Sequence, residues 1–284
     1  MLRDKTRAIL RRYGVRLSKR RGQPHVIDGG LLRRMVNYAE ISRGDVVFEI
    51  GAGTGNLTAM LVQRAGKVVA VESDARLVQA LRARLGKYPN LEILHGDVLK
   101  LELPRFNKVA ANLPYAISSD VTFKLLTSGF KLAVLMYQHE FAQRLVASSG
   151  TKEYGRLTVN VYYRAEVELL EEVPSEAFMP RPKVKSTVVR LRPREPPFRV
   201  QDERLFADVV RAVFQHRRKR VCNALFHSFE EIFPTTGLTK KEKHEWVKRT
   251  LSGKHANARA ADLSPEELGK IANSFTTFRS DLQA

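Results

Sequence analysis

The sequence predicts an α/β protein, a doubly wound parallel sheet followed by a small helical domain. From residue 46 onward, short β-type apolar runs alternate with helical patterns, and a glycine-rich turn follows the first run. A stretch rich in proline and charge, RPREPPF at 192–198, separates this alternation from a tail with helical spacing.

VVFEI (46–50), KVVAVE (67–72), LEILH (91–95), KVAAN (108–112) and LAVLMY (132–137) read as buried strands. Between the first three lie the helical patterns GNLTAMLVQRA and DARLVQALRARLG, the second stopped by Gly86 and Pro89. A helix, GRLTVNVYYRA, and two further strands, EVELLEEV and STVVRLRP, are expected to adjoin the same sheet. Beyond the boundary, DERLFADVVRAVFQHRRKRVCNALF, KKEKHEWVKRTL and SPEELGKIANSF have helical spacing, with Asp202 and Ser264 as caps. The expected domains are 1–193 and 194–284.

A hydrophobic fraction of 43% over 284 residues supplies a core. No apolar stretch approaches the ~18 to 20 residues that span a bilayer, so no transmembrane segment is expected. The N-terminus is positive but lacks the apolar centre of a secretory signal; its arginine-rich, acid-poor character leaves an organellar transit peptide as the minor alternative. One cysteine, Cys222, excludes an internal disulfide and a thiolate zinc site, and points to a reducing cytoplasm. No metal is expected.

Charge is the strongest bulk signal. Lys and Arg number 49 against 30 Asp and Glu, a net +19 that makes a polyanion, nucleic acid before membrane, the natural partner. Residues 1–43 hold twelve Lys/Arg and three Asp/Glu, and a second cluster, HRRKR, lies at 216–220. Either run alone would suit a solvated face; together they favour phosphate contact.

FEIGAGTGNLT places Gly51, Gly53 and Gly55 where a strand turns into a helix, so that backbone can approach a ligand closely. A dinucleotide fingerprint wants glycine where Asn56 stands, and no lysine follows to make an NTPase loop. Glu72 ends the second strand, placed to accept from both ribose hydroxyls, and Asp97 follows the third. Two acids without a phosphate cradle suit a neutral or cationic nucleoside, such as S-adenosylmethionine.

The remaining need is a nucleophile, and ANLPY answers it. Asn112 Oδ1, with the carbonyl of Leu113 or Pro114, can accept from the two N–H bonds of an exocyclic adenine amine. Pro114 stiffens the turn, and Tyr115 offers a stacking face for a base swung out of its helix. The competing reading is a strand-ending turn in which Asn caps and Tyr packs.

These motifs together resemble the KsgA-type ribosomal RNA adenine dimethyltransferases. The resemblance runs through RRGQ and VID (20–28), FEIGAGTGNLT, VESD, GDVL and NLPY, then YGRLTV, VPSEAFMPRPKVKSTVVRL and FQHRRKRVCNAL. It implies a Rossmann-like class I methyltransferase sheet and, as cofactor, S-adenosylmethionine. The Gly51 loop would hold its methionine part, Glu72 its ribose and Asp97 its adenine amine, with Gln23 and Val26 in a segment closing over it. Asn112 and the Pro114 carbonyl would bind the target amine. Tyr115 and Phe178 would sandwich the target base, Phe178 lying on a rigid AFMPRP loop, with burial in the core as the competing reading.

The chain departs from the family after GQ, where Pro24, His25 and Val26 stand in place of a residue and an aromatic–leucine pair. Either His25 replaces the aromatic against the cofactor or the segment sits differently. Arg217, Arg218, Lys219 and Arg220 would grip RNA phosphate. The implied activity is N6,N6-dimethylation of two adjacent adenines near the 3′ end of small-subunit rRNA, by a cytoplasmic monomer acting on a pre-ribosomal particle. The alternatives are methylation of large-subunit rRNA and a non-catalytic assembly or transcription factor on the same fold.

Overall fold

The computed structural model describes residues 1–15, 24–234, 236–251 and 254–276. The chain divides into two compact units, Met1–Ala142 with Ala165–Arg194, and Gln143–Arg164 with Glu195–Ala284.

In chain order the elements begin α1 (Leu2–Arg12), β1 (His25–Val26), α2 (Gly29–Tyr38), β2 (Val46–Ile50), α3 (Thr58–Arg64), β3 (Lys67–Glu72), α4 (Ala75–Leu85) and β4 (Leu91–His95). They continue with β5 (Lys108–Asn112), a 3-10 turn Tyr115–Ile117, α5 (Ser118–Leu125), β6 (Leu132–Gln138), α6 (His139–Leu145) and α7 (Arg156–Arg164). Then come β7 (Ala165–Val173), β8 (Phe178–Met179) and β9 (Ser186–Pro193). The rest is helical: α8 (Glu203–Gln215), α9 (Val221–His227), α10 (Phe229–Ile232), α11 (Lys240–Thr250), α12 (Lys254–Asn257) and α13 (Pro265–Ser274).

The large sheet runs β4-β3-β2-β5-β6-β9-β7. Its first five strands are parallel, whereas β9 pairs antiparallel with both β6 and β7. Strands β3 and β6 are buried along almost their whole length, which is why they read as continuous apolar runs. At the edge, β7 carries Glu168 and Glu172, ion-paired to Arg190 and Lys185, and a charged edge discourages pairing with another chain.

Topology fixes where a ligand can enter. The chain leaves β2 toward β3 on one side and later returns to pair β5 on the other, so the loops after β2 and β5 diverge at a switch point of the sheet. Asp74 caps α4 through the Arg76 N–H, and Asp28 caps α2 through the N–H groups of Gly30 and Leu31. The apolar face of α2, Leu31, Leu32 and Met35, packs in one core with Val47, Val68 and Val134. A separate two-stranded ribbon pairs His25 with Met179 and Val26 with Phe178.

The five β-runs from 46 to 137 form strands where expected. The junction of the units at Arg194/Glu195 lies inside RPREPPF, but α7, expected beside the sheet, belongs to the helical unit. Its Val159 and Tyr163 share a core with Leu205 and Phe206, and the Tyr154 hydroxyl donates to the Leu263 carbonyl at 2.8 Å. An amphipathic stripe announces burial without naming the core that receives it. The stretch 202–226 is likewise two helices. Chain turns at 216–220, where Val221 N–H donates to the Ala258 carbonyl and Arg220 bridges to Arg259. Asp202 and Ser264 cap α8 and α13, the latter with a capping box to Glu267.

Candidate active site

The loop after β2 is built on three glycines with positive φ: Gly51 at 72°, Gly53 at 58° and Gly55 at 78°. At Gly53 the requirement is double, because a Cβ there would lie 2.8 Å from His25 Nδ1. Gly55 lines neither cleft described below; it lets the loop pack on α4, where a Cβ would stand 2.7 Å from Leu81. Asn56 clamps the turn. Its Nδ2 donates to Thr6 Oγ1 and the Val26 carbonyl, both at 2.9 Å, while Oδ1 accepts from Arg84 at 3.0 Å.

Glu72 is buried at the end of β3, its carboxylate held by backbone. Oε2 accepts from Gly53 N at 2.8 Å; Oε1 accepts from Ser73 N at 2.8 Å and Asp74 N at 3.0 Å. Oε2, with one bond, keeps a lone pair for a hydroxyl donor, whereas both acceptor sites of Oε1 are engaged by backbone. A cleft of about 280 Å³ opens here, with Gly51, Glu72, Asp97, Pro114 and Ile117 on its walls. Asp97 is exposed, and its Oδ1 accepts from Leu99 N at 3.0 Å.

A second cleft, of about 320 Å³, shares Gly51 and is lined by His25, Val26, Glu49 and Asn112. Asn112 donates from Nδ2 to the Pro24 carbonyl at 2.7 Å, and its Oδ1 is buried with no hydrogen-bond partner among the described residues. Glu49 is buried too, with Oε2 unpartnered among those residues. Burial pushes its carboxyl up to about 8; neighbouring Thr58 partly offsets this and the charge of Glu72 adds to it. Burial drives the His25 imidazole the other way, down to about 4. At neutral pH this wall therefore presents a neutral imidazole and a mostly neutral carboxylic acid.

The turn after β5 engages much of its own polarity. The Pro114 carbonyl accepts from Ile117 N at 3.1 Å and Ser118 Oγ at 3.3 Å, whereas the Leu113 carbonyl accepts nothing among the described residues. Tyr115 is part-buried, its hydroxyl 2.7 Å from Ser186 Oγ at the start of β9. Phe178 does not stand out on a loop. It is 3% exposed and packs in the same core as Val26 and Leu32 because β8 pairs with β1, so the face expected to stack on a base is covered. Gln23 lies outside the described residues.

The basic cluster belongs to the helical unit, and two of its members hold that unit together. Arg217 donates to the carbonyls of Thr151 and Lys152, and Arg220 to Asn257 Oδ1 at 3.0 Å. Lys219 Nζ is 3.0 Å from His227 Nε2, while Arg218 is exposed with no hydrogen bond or ion pair among the described residues.

Sequence reasoning missed Glu49 and treated Asn56 only as an absent glycine. A carboxylate in the middle of the apolar run VVFEI was a visible signal for Glu49, since an acid is rarely buried in a strand without a task. The clamp at Asn56 had no local signal, its partners lying 28, 30 and 50 residues away.

The chain matches a family model described as "Ribosomal RNA adenine dimethylase" over residues 15–275. It is 46% identical over 274 residues to the probable ribosomal RNA small subunit methyltransferase A of Methanosarcina acetivorans, covering 96% of this chain and 99% of that protein. To the protein of the same description from Thermococcus onnurineus it is 44% identical, covering 95% and 96%. Among solved structures it resembles a dimethyladenosine transferase from Plasmodium falciparum, with TM-score 0.72 and 31% identity over 88% of this chain and 96% of that one. The 23S rRNA methyltransferase ErmE matches with TM-score 0.62 and 28% identity, over 88% and 98%.

Proposed function

The chain belongs to the ribosomal RNA adenine dimethylase family, and from that premise we propose that it dimethylates N6 of two adjacent adenines near the 3′ end of small-subunit rRNA, using S-adenosylmethionine. The observation that carries the reading is Asn112 Oδ1: buried, without a partner among the described residues, and oriented by the bond from Nδ2 to Pro24. A buried acceptor left unsatisfied is costly, and a substrate N–H is the group that would satisfy it.

The residues at the switch point fit the cofactor. Three backbone N–H groups hold the Glu72 carboxylate where a ribose hydroxyl can donate to Oε2, and Asp97 offers an acceptor to an adenine amine in the same cleft. Oε2 of Glu49, without a partner among the described residues, can accept from a cationic amino group, whose charge would favour the ionised carboxylate there. When bound, S-adenosylmethionine supplies a methyl group activated by attachment to a sulfonium.

This chain's residues prepare the acceptor. Asn112 Oδ1 and the Leu113 carbonyl take the two N–H bonds of the target amine, which turns its lone pair out of conjugation with the ring. Of the two carbonyls considered, Leu113 has the free lone pairs, because Pro114 already receives Ile117 and Ser118 within the turn. Tyr115 gives the flipped base a stacking face worth about 1–3 kcal/mol, steadied through its hydroxyl on Ser186. After the first transfer one N–H remains, and a single acceptor holds it for the second. The proton lost from nitrogen passes to water.

In the helical unit, Arg218 and Lys219 are the cluster members available to RNA phosphate. We place the protein in the cytoplasm as a monomer acting on a pre-ribosomal small subunit. The small-subunit names of the archaeal relatives favour this over a large-subunit substrate. Labelled-methyl transfer to immature small subunits, with the modified nucleotides mapped, tests the proposal. Dimethylated adjacent adenines in small-subunit rRNA are expected; unaltered adenines, or label only in large-subunit rRNA, would overturn it.

A further inference from the structure

The turn that carries Asp97 is tied to α5 by one side chain. Lys124, in the last turn of α5, donates from Nζ to the carbonyls of Val98 at 2.8 Å, Leu99 at 3.1 Å and Leu101 at 2.5 Å. An ammonium has three donors, so all of them are spent on this one turn. The lysine itself is part-buried, and no carboxylate pairs with it among the described residues.

The rest of the turn is equally determined. Lys100 N and Leu101 N donate to the Asp97 carbonyl at 2.9 and 3.0 Å, Leu99 N donates to Asp97 Oδ1 at 3.0 Å, and Gly96 N donates to the Glu72 carbonyl at 3.0 Å. Leu101 folds back so closely that a Cβ on Gly96 would stand 2.8 Å from it. With Oδ1 committed to Leu99, the other oxygen of Asp97 carries no hydrogen bond among the described residues. The same cleft is also lined by Pro114 and Ile117, which lead directly into α5. Lys124 thus ties the acceptor wall of the nucleoside cleft to the helix that follows the amine-binding turn.

We propose that Lys124 is a positioning residue for nucleobase recognition: by gathering the carbonyls of residues 98, 99 and 101 it sets the Asp97 carboxylate to accept from the cofactor's adenine amine. The inference rests on reading this cleft as the adenosine subsite. Without the ammonium the three carbonyls lose their shared donor, the turn relaxes, and the carboxylate loses its aim while Glu72, held by other N–H groups, keeps its own.

The test compares binding of S-adenosylhomocysteine, its 6-oxo (inosine) analogue and its 2′-deoxy analogue, each by calorimetry on the full chain. The wild-type protein is expected to prefer adenosine over inosine by about tenfold or more, the scale of a hydrogen bond to a charged acceptor. Lys124→Met should bring that ratio to within about threefold while leaving the preference over the 2′-deoxy analogue unchanged, and should add nothing in an Asp97→Asn background. Lys124→Gln, which retains part of the donor set, should fall between and serves if the methionine variant does not fold. An unchanged adenosine-to-inosine ratio in a folded variant overturns the proposal, as does equal loss of both ratios, which would mark Lys124 as generally structural. Failure of the wild-type protein to bind any of the three would instead overturn the cofactor reading itself.

Discussion

The side-chain amide of Asn112 donates from Nδ2 to the carbonyl of Pro24 at 2.7 Å, so a residue 88 positions earlier in the chain decides which way the Asn112 oxygen points. The segment expected to close over the cofactor and the turn expected to hold the target amine thus share one hydrogen bond. Orientation of an acceptor is worth most when fixed before reaction, since no reorganisation is then needed.

Asn112→Ala separates these two roles. Turnover should fall by about 100- to 1,000-fold, the scale for removing one preorganised polar group from a reaction centre. Cofactor affinity should weaken by no more than about tenfold, the value of one neutral hydrogen bond to Pro24. Single-turnover methylation and calorimetry measure the two. Undiminished turnover would remove Asn112 from the mechanism.

Gly53→Ala places a methyl group against His25 and forces an L residue to a φ of 58°. A loss of about 1–3 kcal/mol in stability is expected, with weaker cofactor binding. His25→Ala should relieve the contact but not the backbone strain, so the double variant should be more stable than the sum of the single effects predicts. Additive melting shifts would show that the two residues do not meet.

Glu49 and His25 make opposite contributions to the pH dependence of stability. The Glu49 carboxyl rises on folding from 4.5 to about 8, so its contribution is full below 4.5 and is lost as pH climbs through 8, at no more than about 1.4 kcal/mol per pH unit. The His25 imidazole falls from 6.5 to about 4, so its contribution is full above 6.5 and is lost as pH drops through 4. The terms oppose each other between 4.5 and 6.5, leaving Glu49 to lower stability from 6.5 to 8. Denaturant melts of Glu49→Gln should lack that decline; a slope equal to the wild-type one would refute the assignment.

Three residues of the basic cluster, Arg217, Arg218 and Lys219, should separate by assay. Arg217→Ala removes the donors to the Thr151 and Lys152 carbonyls and should lower the melting temperature. Arg218→Ala and Lys219→Ala should leave melting unchanged but weaken RNA binding, each reducing the slope of log affinity against log salt by about one. A salt slope untouched by both would move the RNA contact elsewhere.

Much of the sheet was legible because a strand buried on both faces writes itself as an uninterrupted apolar run, as in KVVAVE and LAVLM. Position at strand ends likewise made Gly51, Glu72, Asp97 and Asn112 candidates, since the crevice of an open α/β sheet lies there. Phe178 misled because AFMPRP has the composition of an exposed loop, yet β8 finds β1 across 152 residues of chain and turns the ring inward. No local pattern records a partner that distant.

By itself the sequence determined the alternation of strands and helices, the chemistry available at each strand end, and, through motifs spread along the chain, the family. Tertiary structure alone decided that Asn112 takes its orientation from Pro24, that α7 joins the helical core, that Glu49 is buried without a counter-charge among the described residues, and that Lys124 holds the Asp97 turn. Periodicity and propensity are properties of neighbours in the chain, whereas burial and hydrogen-bond partnership belong to neighbours in space.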